Sequence, residues 1–146
     1  MNRSVNSIVN CTNMNLRKAT RLVTQAYDSA MHVAGIKSTQ FTLMATLNAL
    51  GHPAITRLAE VMVMDRTTLS RNLKPLVSKG LVFIGSEQDQ RVRQISLTAE
   101  GKAVLNEAMP EWQQIQDTVV ERMGQERWTR FLADLETLVE VMKAAS

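Results

Sequence analysis

Apolar residues recur every three or four positions from Asn15 to about Ala34, at Leu16, Ala19, Val23, Ala26, Tyr27 and Ala30. That spacing marks one face of a helix. Gly35 closes the run, as a residue tolerant of left-handed backbone does at a helix C-terminus. A second helix is expected from Ser38 or Thr39 to Leu50. Its Phe41, Leu43, Met44, Leu47 and Leu50 point to more than one side, the pattern of a buried helix. Gly51-His52-Pro53 is a break. Thr56 reads as the N-cap of a short helix through about Val61, with Leu58, Ala59 and Met62 inward. Met64-Asp65 makes the next turn, and Asp65 is placed to cap a helix that reaches about Lys79 and stops at Gly80.

The pattern then changes period. Leu81 to Ile84 reads as a strand, Gly85 to Gln90 as a polar tip, and Val92 to Leu97 as the returning strand. Thr98 caps a long helix towards Met123, which Pro110 should kink. Gly124 breaks the chain before a last helix from about Gln125 to Lys143, with Trp128, Phe131, Leu132, Leu135, Leu138, Val139 and Met142 at helical spacing. The expected fold is mainly α with a small β-hairpin wing, a winged helix-turn-helix flanked by N- and C-terminal helices.

The helix after Asp65 divides into two faces. Leu69, Leu73, Leu76 and Val77 form the expected core stripe. Arg66, Thr67, Thr68, Ser70, Arg71, Asn72 and Lys74 occupy the rest. Arginine pairs bidentately with guanine, asparagine with adenine, and a threonine methyl meets a thymine methyl. At the hairpin tip, Arg91 suits a narrow minor groove of enhanced negative potential. Arg93 adds a second cation, and Asp89 is suited to pair with a nearby arginine and fix the loop. These ten residues are the candidate DNA contacts.

Composition sharpens this reading in one respect. The net charge is only +3, but the positive residues are concentrated. Arg66, Arg71, Lys74, Lys79, Arg91 and Arg93 face only Glu87 and Asp89 in that stretch, whereas acidic residues gather after Glu100. The basic centre points to a polyanion and argues against a winged helix used for protein contacts alone. The chain of 146 residues suits one domain. Nothing resembles a phosphate loop, a nucleophile elbow or a clustered acid/base pair, so neither an enzyme nor a cofactor is expected. His32, His52 and Cys11 lack paired ligand spacing, so no metal is expected. Cys11 is the single cysteine, which excludes an internal disulfide. The polar N-terminus lacks a signal-peptide pattern, and no apolar run approaches the ~20 residues of a membrane span, so a cytoplasmic protein is expected.

Five segments together carry a family resemblance: Arg57-Leu58-Ala59-Glu60, Asp65 to Leu73, Lys79-Gly80-Leu81-Val82, Asp89-Gln90-Arg91-Val92-Arg93, and Leu97-Thr98-Ala99-Glu100-Gly101. The chain resembles the MarR family over nearly its whole length. The D-x-R wing element followed by the L-T-x-x-G helix start is the most specific part. The resemblance implies a single MarR-type domain over 1–146, with dimerisation helices at 15–50 and 98–146 and the DNA-binding winged helix at 54–97. It also implies a triangular homodimer on a pseudo-palindromic operator, usually a repressor released by a small ligand or by oxidation. The apolar stripe of the last helix independently favours a dimer, because little chain remains to cover it. Two recognition helices about 34 Å apart could then read successive major grooves.

Two sensing mechanisms follow from the resemblance. Relatives bind aromatic or phenolic carboxylates between the dimer arms and the winged helix. Here Asn15, Arg17, Lys18, Phe41, Met44 and Trp112 come from the corresponding segments, and a cation with apolar walls suits an aromatic acid. The alternative is oxidant sensing through Cys11, close to the first helix. A subgroup of relatives has a second cysteine two residues on, where this chain has Asn13, leaving an intermolecular bond or a sulfenic acid.

Overall fold

The computed structural model describes residues 7–85 and 93–146. It is mostly helical, with one two-stranded antiparallel hairpin. A 3-10 turn at Ile8–Asn10 leads into α1 (Thr12–Met31). Then follow α2 (Ser38–Leu50), α3 (Ile55–Met62) and α4 (Arg66–Ser78). The hairpin strands are β1 (Val82–Ile84) and β2 (Ile95–Leu97), and two long helices close the chain, α5 (Ala99–Met123) and α6 (Gln125–Ala144). The chain divides into two compact units, Met1–Trp112 and Gln113–Ser146.

The core belongs to the first unit. Met44 and Leu47 of α2, Leu58 of α3, Leu69 and Leu76 of α4, and Ile95 of β2 are all fully buried. Each such aliphatic side chain contributes about 1.5–3 kcal/mol when removed from water. Leu105 and Ala108 bring the first half of α5 onto the same core. Trp112 stacks on Phe41, with ring centroids 6.0 Å apart and planes inclined by 25°.

The starts of the first three helices are set by contacts that sequence spacing did not mark. α1 begins at Thr12 rather than Asn15, because the Asn15 side-chain amide donates back to the carbonyls of Val9 and Cys11, 2.9 Å from each. For α3 the N-cap is Ala54, not Thr56. The amide of Ile55 is satisfied by the Arg93 carbonyl at 3.1 Å, so no side-chain acceptor is required there. The start of α2 is capped from outside: Asp28 of α1 accepts from the Ser38 amide at 2.7 Å and from its hydroxyl at 2.6 Å.

The hairpin pairs Val82 with Leu97, Phe83 with Ser96 and Ile84 with Ile95. Leu81 stands outside β1, its amide turned back to the Leu76 carbonyl at 2.9 Å. Beyond the ladder, Gln94 bridges to Ala54, and the Ile95 amide donates to the Pro53 carbonyl at 2.9 Å. The returning strand is thereby tied to the start of α3. Val92, expected in that strand, lies outside the described residues.

Two apolar stripes are not consumed by the core. Of the α1 stripe, Val23 is 52% exposed, and the neighbouring Leu22 is 70% exposed; only Met31 in this helix is buried. In the second unit α6 has no buried residue, and Phe131, Leu132, Val139, Val141 and Met142 are exposed. α5 runs as one helix through Pro110. No helix of the described residues is long and apolar enough to cross a membrane.

Candidate nucleic-acid interface

Asp65 sets the start of α4. Its Oδ1 accepts from the Thr68 amide at 2.7 Å, and its Oδ2 accepts from the Thr68 hydroxyl at 2.9 Å. These hydrogen bonds, the backbone one foremost, hold the Asp65 carboxyl below its ordinary pKa. A charged N-cap accepting from the first turn also suits the positive end of the helix dipole.

From that start the helix separates its faces. Leu69, Leu73 and Leu76 are buried, while Arg66, Thr67, Ser70, Arg71 and Lys74 are exposed. Val77, expected in the core stripe, is instead 40% exposed. It stands about 100° around the helix from Leu76, at the edge of the stripe. Thr68 and Asn72 are half-buried and engaged: the Thr68 hydroxyl proton goes to Asp65, and the Asn72 amide donates to the Met64 sulfur at 3.7 Å. The outward face is thus made of three cations and two small hydroxyl residues, the donor-rich chemistry that meets phosphates and base edges. Pro75, also exposed on α4, was not singled out in sequence; it has no N–H to give the Arg71 carbonyl.

The turn before α4 holds Val63 at φ 51°, the one non-glycine residue with positive φ among those described. At the other end, Gly80 has φ 72°. The Thr98 hydroxyl donates to the Gly80 carbonyl at 2.6 Å and accepts from the Gly101 amide at 3.0 Å. One side chain therefore ties the end of α4 to the start of α5. Arg93 is exposed, with its carbonyl anchored to Ile55; Asp89 and Arg91 lie outside the described residues.

The proposed sensing residues are placed differently from one another. Phe41 and Met44 are spent on the core, 4% and 0% exposed, and Trp112 packs on Phe41. Asn15, Arg17 and Lys18 are exposed on the first turns of α1, and Cys11 is half-buried as the N-cap of that helix. Sequence reasoning missed two cavities beside the helix-turn-helix. A small one of about 170 Å³ lies among Lys37, Thr39, Gln40, Asn72 and Pro75. A larger one of about 390 Å³ reaches from α1 to Met62 and Met64. Neither has a sequence signature, because the walls come from segments far apart in the chain. Among the described residues no three metal-ligating side chains come together.

Comparison with known proteins fits this geometry. The MarR family model matches residues 36–92. The transcriptional regulator MosR of M. tuberculosis, in a complex with DNA, is 34% identical, with a TM-score of 0.85 over 92% of this chain and 98% of that one. A second MosR structure is 31% identical, with a TM-score of 0.79 over 97% and 99% of the two chains. MepR of S. aureus bound to DNA shares the fold at 17% identity, with a TM-score of 0.77 over 93% and 99%. No curated protein sequence matches the chain.

Proposed function

The chain belongs to the MarR family of winged-helix transcriptional regulators, and on that premise we propose that it acts as a homodimeric repressor, bound to a pseudo-palindromic DNA operator and released by a small aromatic ligand. The observation that carries the DNA-binding part is the division of α4. Leu69, Leu73 and Leu76 fix the helix on the core, leaving Arg66, Thr67, Ser70, Arg71 and Lys74 on the open side. The solved DNA complex of MosR, at 34% identity, supports the same use of the fold. Arg91 and Arg93 complete the proposed footprint from the wing, with Asp89 fixing its loop and the short Thr68 and Asn72 bracing the helix from its inner flank.

The dimer is supported by the two apolar stripes left uncovered. Leu22 and Val23 on α1, and Phe131, Leu132 and Met142 on α6, would cost surface free energy in water unless a second copy covers them. Two copies would also present two recognition helices to one face of the duplex. Among effectors, a bound ligand is favoured over oxidation of Cys11, because an open cavity adjoins the helix-turn-helix whereas Cys11 has no second cysteine in its chain.

A gel shift on DNA from the promoter of the protein's own gene tests the reading. The wild-type protein should retard a palindrome-bearing fragment at low salt, and Arg71→Ala should lose about 1–3 kcal/mol of discrimination against the mutated site. Absence of binding to any such fragment would sink it. Sedimentation at micromolar protein separately tests the dimer.

A further inference from the structure

Met64 stands in the turn between α3 and α4, one residue before the Asp65 cap. Its sulfur accepts from the Asn72 side-chain amide at 3.7 Å, a contact that joins this turn to the interior of α4. The backbone of the turn is held as well. The Met64 amide donates to the Ala59 carbonyl at 2.9 Å, and the Val63 amide to the Glu60 carbonyl at 3.1 Å. A change in the Met64 side chain therefore falls on Asn72 before it falls on the turn, whose movement would break these hydrogen bonds.

The same side chain is within reach of small solutes. Met64 is half-buried and lines the cavity of about 390 Å³ together with Met62, Val23 and Tyr27. That space is ample for a molecule little larger than water. Met31 and Met44, by contrast, are fully buried.

Oxidation turns the flexible apolar thioether into a polar, chiral sulfoxide. An oxygen added on the Asn72 side of the sulfur has too little room, with the amide nitrogen already at 3.7 Å, so Asn72 has to retreat. An oxygen added elsewhere makes the side chain polar, and hydration draws it off Asn72 into the cavity. Asn72 has somewhere to go, because it also lines the small cavity among Lys37, Gln40 and Pro75. Pro75 belongs to α4, so an amide pushed into that space bears on the helix itself.

We propose that Met64 is an oxidation site, converted to its sulfoxide by a peroxide, and that this modification weakens DNA binding by breaking the Met64–Asn72 contact that braces α4. A sulfur lone pair attacks one peroxide oxygen and the O–O bond breaks. Sulfur is oxidised by two electrons and the peroxide is reduced, its second oxygen taking the proton of the first and leaving, from hydrogen peroxide, as water. The inference rests on the reading of α4 as the DNA-contact helix; it involves neither a bound ligand nor Cys11.

Hydrogen peroxide treatment of the full chain carrying Cys11→Ser tests it. Peptide mass spectrometry follows each methionine, and a gel shift on the palindrome-bearing fragment follows DNA binding. The serine removes the thiol as a competing cause. Once Met64 is converted, the half-saturating protein concentration should rise about fivefold, the factor that one hydrogen bond is worth. Methionine sulfoxide reductases acting on both epimers should restore it. Met109 and Met142 are exposed and will oxidise too, so further variants assign the effect. Met64→Leu, each sample compared with its own untreated form, should lose the response, whereas Met62→Leu should keep it. A response undiminished in Met64→Leu or lost in Met62→Leu would overturn the proposal. So would a Met64 that stays unmodified, or an unchanged affinity with Met64 converted. Loss of the cooperative melt by circular dichroism in the oxidised protein would also overturn it, since the effect would then be unfolding. Retardation of DNA by untreated protein is a separate result: its absence sinks the regulator reading and this site with it, whereas its presence without a peroxide response sinks the site alone.

Discussion

Replacing Gly101 with alanine should destabilise the protein despite placing a better helix former in α5. A Cβ built on Gly101 would overlap the Leu81 carbonyl oxygen and come within 3.0 Å of its carbon and 3.4 Å of its Cα. The obstacle is backbone, so no rotamer relieves it. That backbone is also held: Leu81 O accepts from the Thr98 amide at 3.1 Å, while the Thr98 hydroxyl holds the Gly80 carbonyl and the Gly101 amide. Forcing the two segments apart costs about 1–3 kcal/mol in overpacking and about 1 kcal/mol for each hydrogen bond lost. Alanine recovers only about 1 kcal/mol in helix propensity. A net loss of about 2–4 kcal/mol remains. For a chain of this size that corresponds to a fall in Tm of roughly 5–15 °C. Circular dichroism melts at one fixed protein concentration measure it, since dimerisation makes Tm depend on concentration. A Tm within 2 °C of wild type, or above it, would refute the argument that close approach at Leu81 requires glycine here.

Val63→Gly should act in the opposite direction. Valine at φ 51° costs about 1–2 kcal/mol in left-handed backbone, its side chain is 57% exposed, and glycine gives back only about 0.5–1 kcal/mol in chain entropy. The melt should rise by a few degrees, and a fall would show that the side chain matters more than its backbone. Asp28→Ala should cost about 1 kcal/mol, the usual value of a helix cap. The hydrogen bonds from the Ser38 hydroxyl and then its amide hold the Asp28 carboxyl below the ordinary carboxylate pKa. Its contribution is therefore present above about pH 4 and lost as pH falls through the lowered value. Urea titrations should show the wild type and Asp28→Ala converging in acid, and a constant gap would contradict the cap. Lys74→Ala should lower the slope of log affinity against log salt by about 0.9, the value of one phosphate contact. An unchanged slope would remove Lys74 from the interface.

Much of the helix-turn-helix was legible because it is specified locally. Asp65 three residues before Thr68, leucines at 69, 73 and 76, and Gly80 after the last turn each act within a few residues, and the structure uses them so. The same holds for the hairpin and for the helix that Thr98 starts. Val77 shows the limit: spacing admits it to the stripe, but only the packed position of α4 decides where the stripe ends.

The residues proposed for sensing were less legible, for a physical reason. Apolar character in Phe41, Met44 and Trp112 is equally compatible with a core and with a ligand wall, and packing assigned Phe41 and Met44 to the core. A separate cavity, invisible to local spacing, lies among Val23, Ser38, Thr42 and Met64, and their hydroxyls and sulfur hydrogen-bond with Asp28, Ser38 and Asn72. By itself the sequence determined the order of elements, the Asp65 and Thr98 caps and the basic face, because periodicity and local capping follow from the geometry of one helix. Tertiary structure alone decided which apolar residues leave water, which cap comes from a distant aspartate, and which donors and acceptors remain for a partner. Those depend on how separate segments meet, a quantity that no local spacing encodes.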